Sequence, residues 1–481
     1  MRVIFVFLLF FSGHSNLLFG QKWISPQYSF EVKKNLIYGK ADDFNGIRRD
    51  LLLDLCLPQN DIPPDCGRPL LLAVHGGAFL AGSKEDGLLQ TAMREFASRG
   101  YAAASINYRL GMFQTAAEVH CNVTQLLNTP WDCLNMSDTS EWYRAWFRAV
   151  QDVHRAIRFL VDDPGNRIDR RNIFLVGESA GAISVLGAGF LDHPSEHKSQ
   201  FGNLASLPAP NRIYEDLCIR QPGFNTSISL MDLSRPDLIQ DLNPLEDRDY
   251  QIRGVAAFYG CSMFDLFAQS SAQSFLPALY LFHQTNDLVV PIGAGSLLSG
   301  TSTCFSALAG CQAIISRPSC LGSDPMEINY KKSLSDLGLK GQILYDRKPN
   351  NADCIAQVLN PSSGGHQVDD IALRLGNVIR FFAPRISDAD GTPCTLSSDE
   401  PGLSGPRLFP NPADEYLQIQ DDQGFGNIRI FSPDGKVVLF QNHVSVRYFA
   451  ELNVCDLATG VYYLLLDLGN GKAHRMKLLI H

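Results

Sequence analysis

The stretch that decides the fold is NIFLVGESAGAISVLGAG, residues 172–189. Residues 172–176 read as a buried strand, Gly177–Gly181 is a tight turn, and a run of small residues follows that suits a helix packed closely on a sheet. A Gly-x-Ser-x-Gly match alone is weak, since residue frequencies produce one in roughly one chain of this length in five. A strand before it and a close-packed helix after it make Ser179 a candidate nucleophile, held on a turn so sharp that only small neighbours fit.

Working outward, short β-rich runs alternate with helical segments. Strands are predicted over 51–57, 69–77, 101–109, 172–177, 252–260, 277–284 and 341–346, several of them apolar throughout, as strands buried on both faces should be. Helices are predicted over 87–100, 141–163 and 367–386. In the second, Trp146, Val150, Val153, Ala156, Ile157 and Leu160 recur at helical spacing. This alternation predicts an α/β fold, a mostly parallel sheet covered by helices. Two stretches exceed ordinary loops, near 111–140 and 192–250.

A serine hydroxyl needs a base, and the base needs an orienting group. Of eleven histidines, His366 lies in the loop PSSGGHQVDD after the last predicted strand, with two glycines that let it reach Ser179. His283 ends a strand and reads as structural; His193 and His197 read as solvated. Asp287, in HQTNDLVVP just beyond the strand ending near His283, falls between Ser179 and His366 in chain order and is the expected orienting carboxylate. The strand leading into HGGAF supplies backbone N–H groups at Gly77 and Ala78, which with that of Ala180 are the expected oxyanion donors.

The motifs HGGAF, INYRLG, GESAGA and HQTNDLVVP, with a loop histidine last, resemble the α/β-hydrolase carboxylesterases of the hormone-sensitive-lipase-like and feruloyl-esterase-like groups. GESAGA and NYRLG also resemble type-B carboxylesterases, which usually carry glutamate where this chain has Asp287. HGGAF departs from a triple glycine, but Ala78 still offers its N–H. The resemblance spans about residues 35–386 and implies an α/β-hydrolase fold with the chain order Ser, Asp, His. It also implies ester hydrolysis through an acyl-enzyme without a cofactor, on a small-molecule or polysaccharide-linked ester. Acetyl and feruloyl esters of plant polysaccharides are the expected class. Tyr108 and Arg109 are expected to support the oxyanion loop. The alternatives are a peptidase of the same fold or a non-catalytic, esterase-like adhesion protein.

Composition bounds the rest. At 481 residues the chain predicts one large domain and a smaller one, and a net charge of -9 argues against a nucleic-acid partner. Residues 1–20, with Arg2, an apolar run of about ten residues and Gly20, have the layout of an export signal, too short for a membrane span; no later stretch is apolar for long enough to be an integral membrane segment. Twelve cysteines suit an oxidising compartment. Cys121 with Cys133, and Cys304 with Cys311, are close enough to staple local loops, although spacing does not set connectivity. No Cys/His cluster has metal spacing.

The catalytic domain is expected over 21–386. Residues 387–406, rich in Ser, Asp, Gly and Pro, read as a linker. After it the rhythm changes to short alternating strands with Pro-Asp-Gly and Gly-Asn-Gly turns, predicting a small all-β sandwich over 407–481. The motifs LFPNPADEYLQI, IRIFSPDGKVV and LATGVYYLLL there resemble the C-terminal sorting domain of the type IX secretion system. That resemblance implies the type IX secretion machinery as partner and a secreted or cell-surface protein. A β-sandwich that binds carbohydrate or another protein is the alternative for this segment.

Overall fold

The computed structural model describes residues 23–112, 139–191, 250–263, 276–301, 318–336, 342–359, 364–386 and 407–480, apart from breaks of a few residues, and short pieces between them. The expected export signal, most of both long insertions with His193 and His197, the linker, and Cys121, Cys133 and Cys311 lie outside the described residues. The chain divides into two compact units, the second made chiefly of Leu396–His481.

The first unit is built on β1 (Ser29–Asp42), β2 (Arg48–Gln59), β3 (Arg68–Val74), β4 (Ala102–Ile106), β5 (Ile168–Glu178), β6 (Ile252–Phe258), β7 (Ala278–Gln284) and β10 (Ile343–Lys348). They form one eight-stranded sheet in the order β1-β2-β4-β3-β5-β6-β7-β10. Pairing is parallel from β4 through β10, and antiparallel only at β1–β2 and β2–β4. A two-stranded ribbon, β8 (Ala294–Ser296) with β9 (Ser319–Leu321), lies outside this sheet.

Its helices are α1 (Gly87–Ala97), α2 (Thr139–Asp162), α3 (Ala180–Phe190), α4 (Ser323–Asp336), α5 (Cys354–Leu359) and α6 (Ile371–Phe382). On one face of the sheet, Leu89, Met93 and Phe96 of α1 and Val378 and Phe382 of α6 pack with Leu71, Phe174, Val176, Phe258 and Tyr280. The tight small-residue helix α3 has all eleven residues buried. A Cβ at its Gly187 would stand 2.6 Å from Trp146 of α2, and one at Gly189 2.4 Å from Val255 of β6. Glycines there let α3 fit between sheet and helix, and the Trp146 indole N–H donates to Ile183 O at 2.9 Å. This is the α/β-hydrolase fold.

All seven predicted core strands are present. Edge strand β1 is an addition: register shifts at Lys33/Leu36 and Ile37/Gly39 break its alternation, so the period-2 signal does not persist along the sequence. Cys304 is bridged to Cys354, 50 residues on, rather than to nearby Cys311. Among the described residues, no helix is long and apolar enough to cross a membrane.

The second unit contains β11 (Arg407–Phe409), β12 (Tyr416–Phe425), β13 (Ile428–Phe431), β14 (Val437–Gln441), β15 (Arg447–Asn453), β16 (Gly460–Asp467) and β17 (Ala473–Ile480). Two antiparallel sheets, β11-β12-β15 and β14-β13-β16-β17, share one core. Leu417 and Ile419, Ile428 and Ile430, Leu464 and Leu466, and Leu478 and Ile480 fill it, alternate residues as strand geometry requires. The Pro-Asp-Gly turn joins β13 to β14, with Gly435 at φ 82° and the Ser432 N–H donating to Lys436 O at 2.9 Å.

Candidate active site

Strand β5 ends at Glu178, and Ser179 turns the chain into α3 with φ 52° and ψ −121°. That conformation is costly for a residue with a side chain, and neighbouring contacts hold it. The Ser179 N–H donates to Phe258 O, and the Ile183 N–H to Ser179 O, both at 3.0 Å. A Cβ at Gly177 would stand 2.4 Å from Gly181 O, and one at Gly181 2.1 Å from Val74 O. The crossing of strand, turn and helix therefore dictates both glycines of the motif.

The end of β3 forms the adjoining wall. Gly77, Ala78 and Phe79 all have positive φ, at 97°, 55° and 61°, and make one left-handed turn. The N–H groups of Leu80 and Ala81 close it on Gly77 O at 2.9 Å. A Cβ at Gly76 would be 3.1 Å from Ser179 Cβ, so this loop lies directly against the serine. Among the described residues, no acceptor engages the N–H groups of Gly77, Ala78 or Ala180.

Several buried side chains hold the loop. The Tyr108 hydroxyl donates to His75 O at 3.1 Å and lies 3.3 Å from Gly76 O, and its ring stacks on His75 at 4.3 Å. His75 Nδ1–H donates to Gly76 O at 2.7 Å, and burial pushes this imidazole down to about 4, so it is neutral. Lys84 Nζ is paired with Asp54 at 2.9 Å, both side chains only 1% exposed. Arg109, expected to support this loop, instead holds Asp152 of α2 through Nε and its backbone N–H and bonds Asp42 O and Gln151 Oε1.

Asp287 follows β7, and His366 precedes α6. A Cβ at Gly365 would be 2.7 Å from Asp287 N, so glycine there permits the histidine loop to close on the end of β7. Across 187 residues of chain, His366 Nε2 lies 2.8 Å from Ser179 Oγ, and Nδ1 lies 2.8 Å from Asp287 Oδ2. Burial works to raise the Asp287 carboxyl, but His366 and the bonds from His283 and His366 outweigh it and hold the group well below the usual carboxylate range. It is therefore an acceptor: His366 Nδ1–H donates to it, leaving Nε2 to accept from the serine hydroxyl. An alcohol bonded to an imidazole that is bonded to a carboxylate can pass a proton as the alcohol attacks.

Three participants were not legible as such. Glu178 lies inside GESAG, yet nothing local shows that Tyr259 hydrogen-bonds its carboxyl. Tyr259, at φ 39°, sets its ring edge-on to His366 at 4.7 Å. His283, which reads as structural, bonds Asp287 directly. Among the described residues, no group of three or more His, Cys, Asp or Glu could hold a metal ion.

Comparison with known proteins places two segments. Residues 53–127 match the BD-FAE family, and residues 407–481 match the secretion system C-terminal sorting domain. A non-reducing polyketide synthase of Penicillium brasilianum is 29% identical over 149 residues, which is 31% of this chain and 5% of that protein. The chain thus spans a small fraction of that relative. Among solved structures, esterase B of Lactobacillus rhamnosis is similar at 14% identity and a TM-score of 0.34, covering 73% of this chain and 86% of that one. Thermogutta terrifontis esterase 2 phosphorylated by paraoxon is similar at 16% identity and a TM-score of 0.35, covering 73% of this chain and 91% of that one.

Proposed function

We propose that this protein is an exported serine carboxylic-ester hydrolase working through an acyl-enzyme. The observation that carries the reading is the unbroken hydrogen-bond chain Ser179–His366–Asp287. In this reading His366 Nε2 takes the Ser179 proton as Oγ attacks the ester carbonyl. The N–H groups of Gly77, Ala78 and Ala180 receive the charge that develops on the carbonyl oxygen. His366 then protonates the leaving alcohol and activates the water that releases the acid. Asp287 holds the imidazole in the Nδ1–H tautomer and offsets its positive charge.

Residues 1–20 act as the export signal, and the sorting domain directs the chain through the type IX secretion machinery. Export, together with the resemblance of the motifs, favours esters outside the cell, with acetyl and feruloyl esters of plant polysaccharides as the leading class. Hydrolysis of p-nitrophenyl acetate and butyrate, methyl ferulate and acetylated xylan by wild type and Ser179→Ala tests the reading. Turnover by wild type that is lost in Ser179→Ala is expected. A folded wild type that hydrolyses none of them overturns it. Sorting of this kind implies removal of 407–481 on export, so mass analysis of the secreted form tests it, and a mature chain retaining those residues counts against it.

A further inference from the structure

The carboxylate of Asp287 is shared between two imidazoles. His366 reaches Oδ2 at 2.8 Å from the serine side, and His283 Nε2 reaches the same oxygen at 3.1 Å from within the sheet. Oδ1 accepts the backbone N–H groups of Val289 and Val290 at 2.8 and 3.0 Å. All four donors surround a side chain with no solvent exposure.

The partners of His283 place a hydrogen on its Nε2. Nε2 faces two acceptors, Asp287 Oδ2 and Val290 O at 3.2 Å, and neither can donate. Nε2 must therefore carry a hydrogen. Nδ1 lies 2.8 Å from Ser323 Oγ at the start of α4, whose hydroxyl can supply the remaining proton. A hydrogen on Nε2 is therefore required whichever way the Ser323 hydroxyl points, and the ring is fully buried. Val290 O alone could satisfy the buried Nε2–H, so the additional contact with Asp287 Oδ2 is the one that bears on His366.

We propose that His283 is a positioning residue for the hydrolytic reaction, acting through Asp287: its N–H fixes the rotation of the carboxylate and shares the electron density that His366 draws on. The inference rests on the esterase reading. An acceptor already engaged by one ring donor binds a second less strongly. Loss of the His283 N–H should tighten Asp287 on the His366 imidazolium, so that a higher pH is needed to free the base. The other titratable groups facing Asp287 or His366 are Tyr259 and Cys261, on the segment after β6, and Glu178 before the serine, and substitution at 283 removes none of them.

The test uses the full chain, with p-nitrophenyl acetate turnover and phosphonylation of Ser179 by a fluorophosphonate probe, each as a function of pH. In His283→Leu, kcat is expected to fall roughly tenfold. The acid limb of kcat/KM and of probe labelling should move up by about half a unit to one unit. His283→Gln, whose amide N–H can occupy the Nε2 position, should return the limb toward wild type. If Leu at 283 prevents folding, Ser323→Ala keeps the ring, frees its Nδ1, and should move the limb in the same direction. A folded Leu variant with an unmoved acid limb overturns the inference alone. A wild type inert to both ester and probe overturns the esterase reading and the inference with it.

Discussion

The phenol of Tyr259 is hydrogen-bonded to the carboxyl of Glu178, the residue before the candidate nucleophile, while its ring stands edge-on to His366. Burial raises the Glu178 carboxyl above its ordinary range, and nearby Asp86 adds to this; Tyr259, His366 and the Gly76 N–H oppose it. A carboxyl raised in the folded state contributes stability that is complete below its unfolded pKa of about 4.3 and is lost as pH rises through the folded value. Glu178→Gln keeps an acceptor for Tyr259 and carries no charge. Its thermal midpoint is expected to exceed wild type by a few degrees at about pH 8, with the difference vanishing near pH 4. Thermal scans across that range check the sign, and a constant difference would refute the assignment.

Gly181 has no room for a methyl group, since Val74 O lies 2.1 Å from the Cβ position. Gly181→Ala should lose about 1–3 kcal/mol of stability. It should lose kcat/KM by about 100-fold, because the displaced turn carries both Ser179 and the Ala180 N–H. Urea unfolding and ester kinetics read the two effects separately.

Lys84 and Asp54 form a buried pair that ties the loop after β3 to β2. Lys84→Met leaves the carboxylate buried without its cation and is expected to cost about 3–5 kcal/mol. Adding Asp54→Asn should recover most of that loss, since the amide oxygen still accepts from the Asn35 N–H. Denaturant unfolding of both variants measures the recovery; a double variant as unstable as the single one would show that the charge is not the cause.

The Cys304–Cys354 bridge closes 50 residues of chain that include α4 and β10. Chain entropy assigns such a loop about 4 kcal/mol. The Cys304→Ala/Cys354→Ala variant should unfold at correspondingly lower denaturant. Activity at room temperature should change far less, because neither cysteine is among the residues proposed to contact substrate.

Much was readable from sequence because its physics is local. The buried strands announce themselves by continuous apolar runs, the sandwich by period-2 alternation, and the Ser179 turn by glycines that sterics demand. Chain order then ranks Asp287 and His366 above other candidates, since each follows a predicted strand. Tertiary structure alone decided the pairings that cross long distances in the chain. That His283 donates to Asp287 depends on the turn at Asn286–Val290, and that Cys304 meets Cys354 depends on how α4 and β10 fold between them. Neither leaves a periodic or steric mark on its own neighbours. The turn at Ser179 could thus be read from the residues beside it, but the second imidazole on Asp287 could not, because only the folded sheet brings its ring and Ser323 of α4 together.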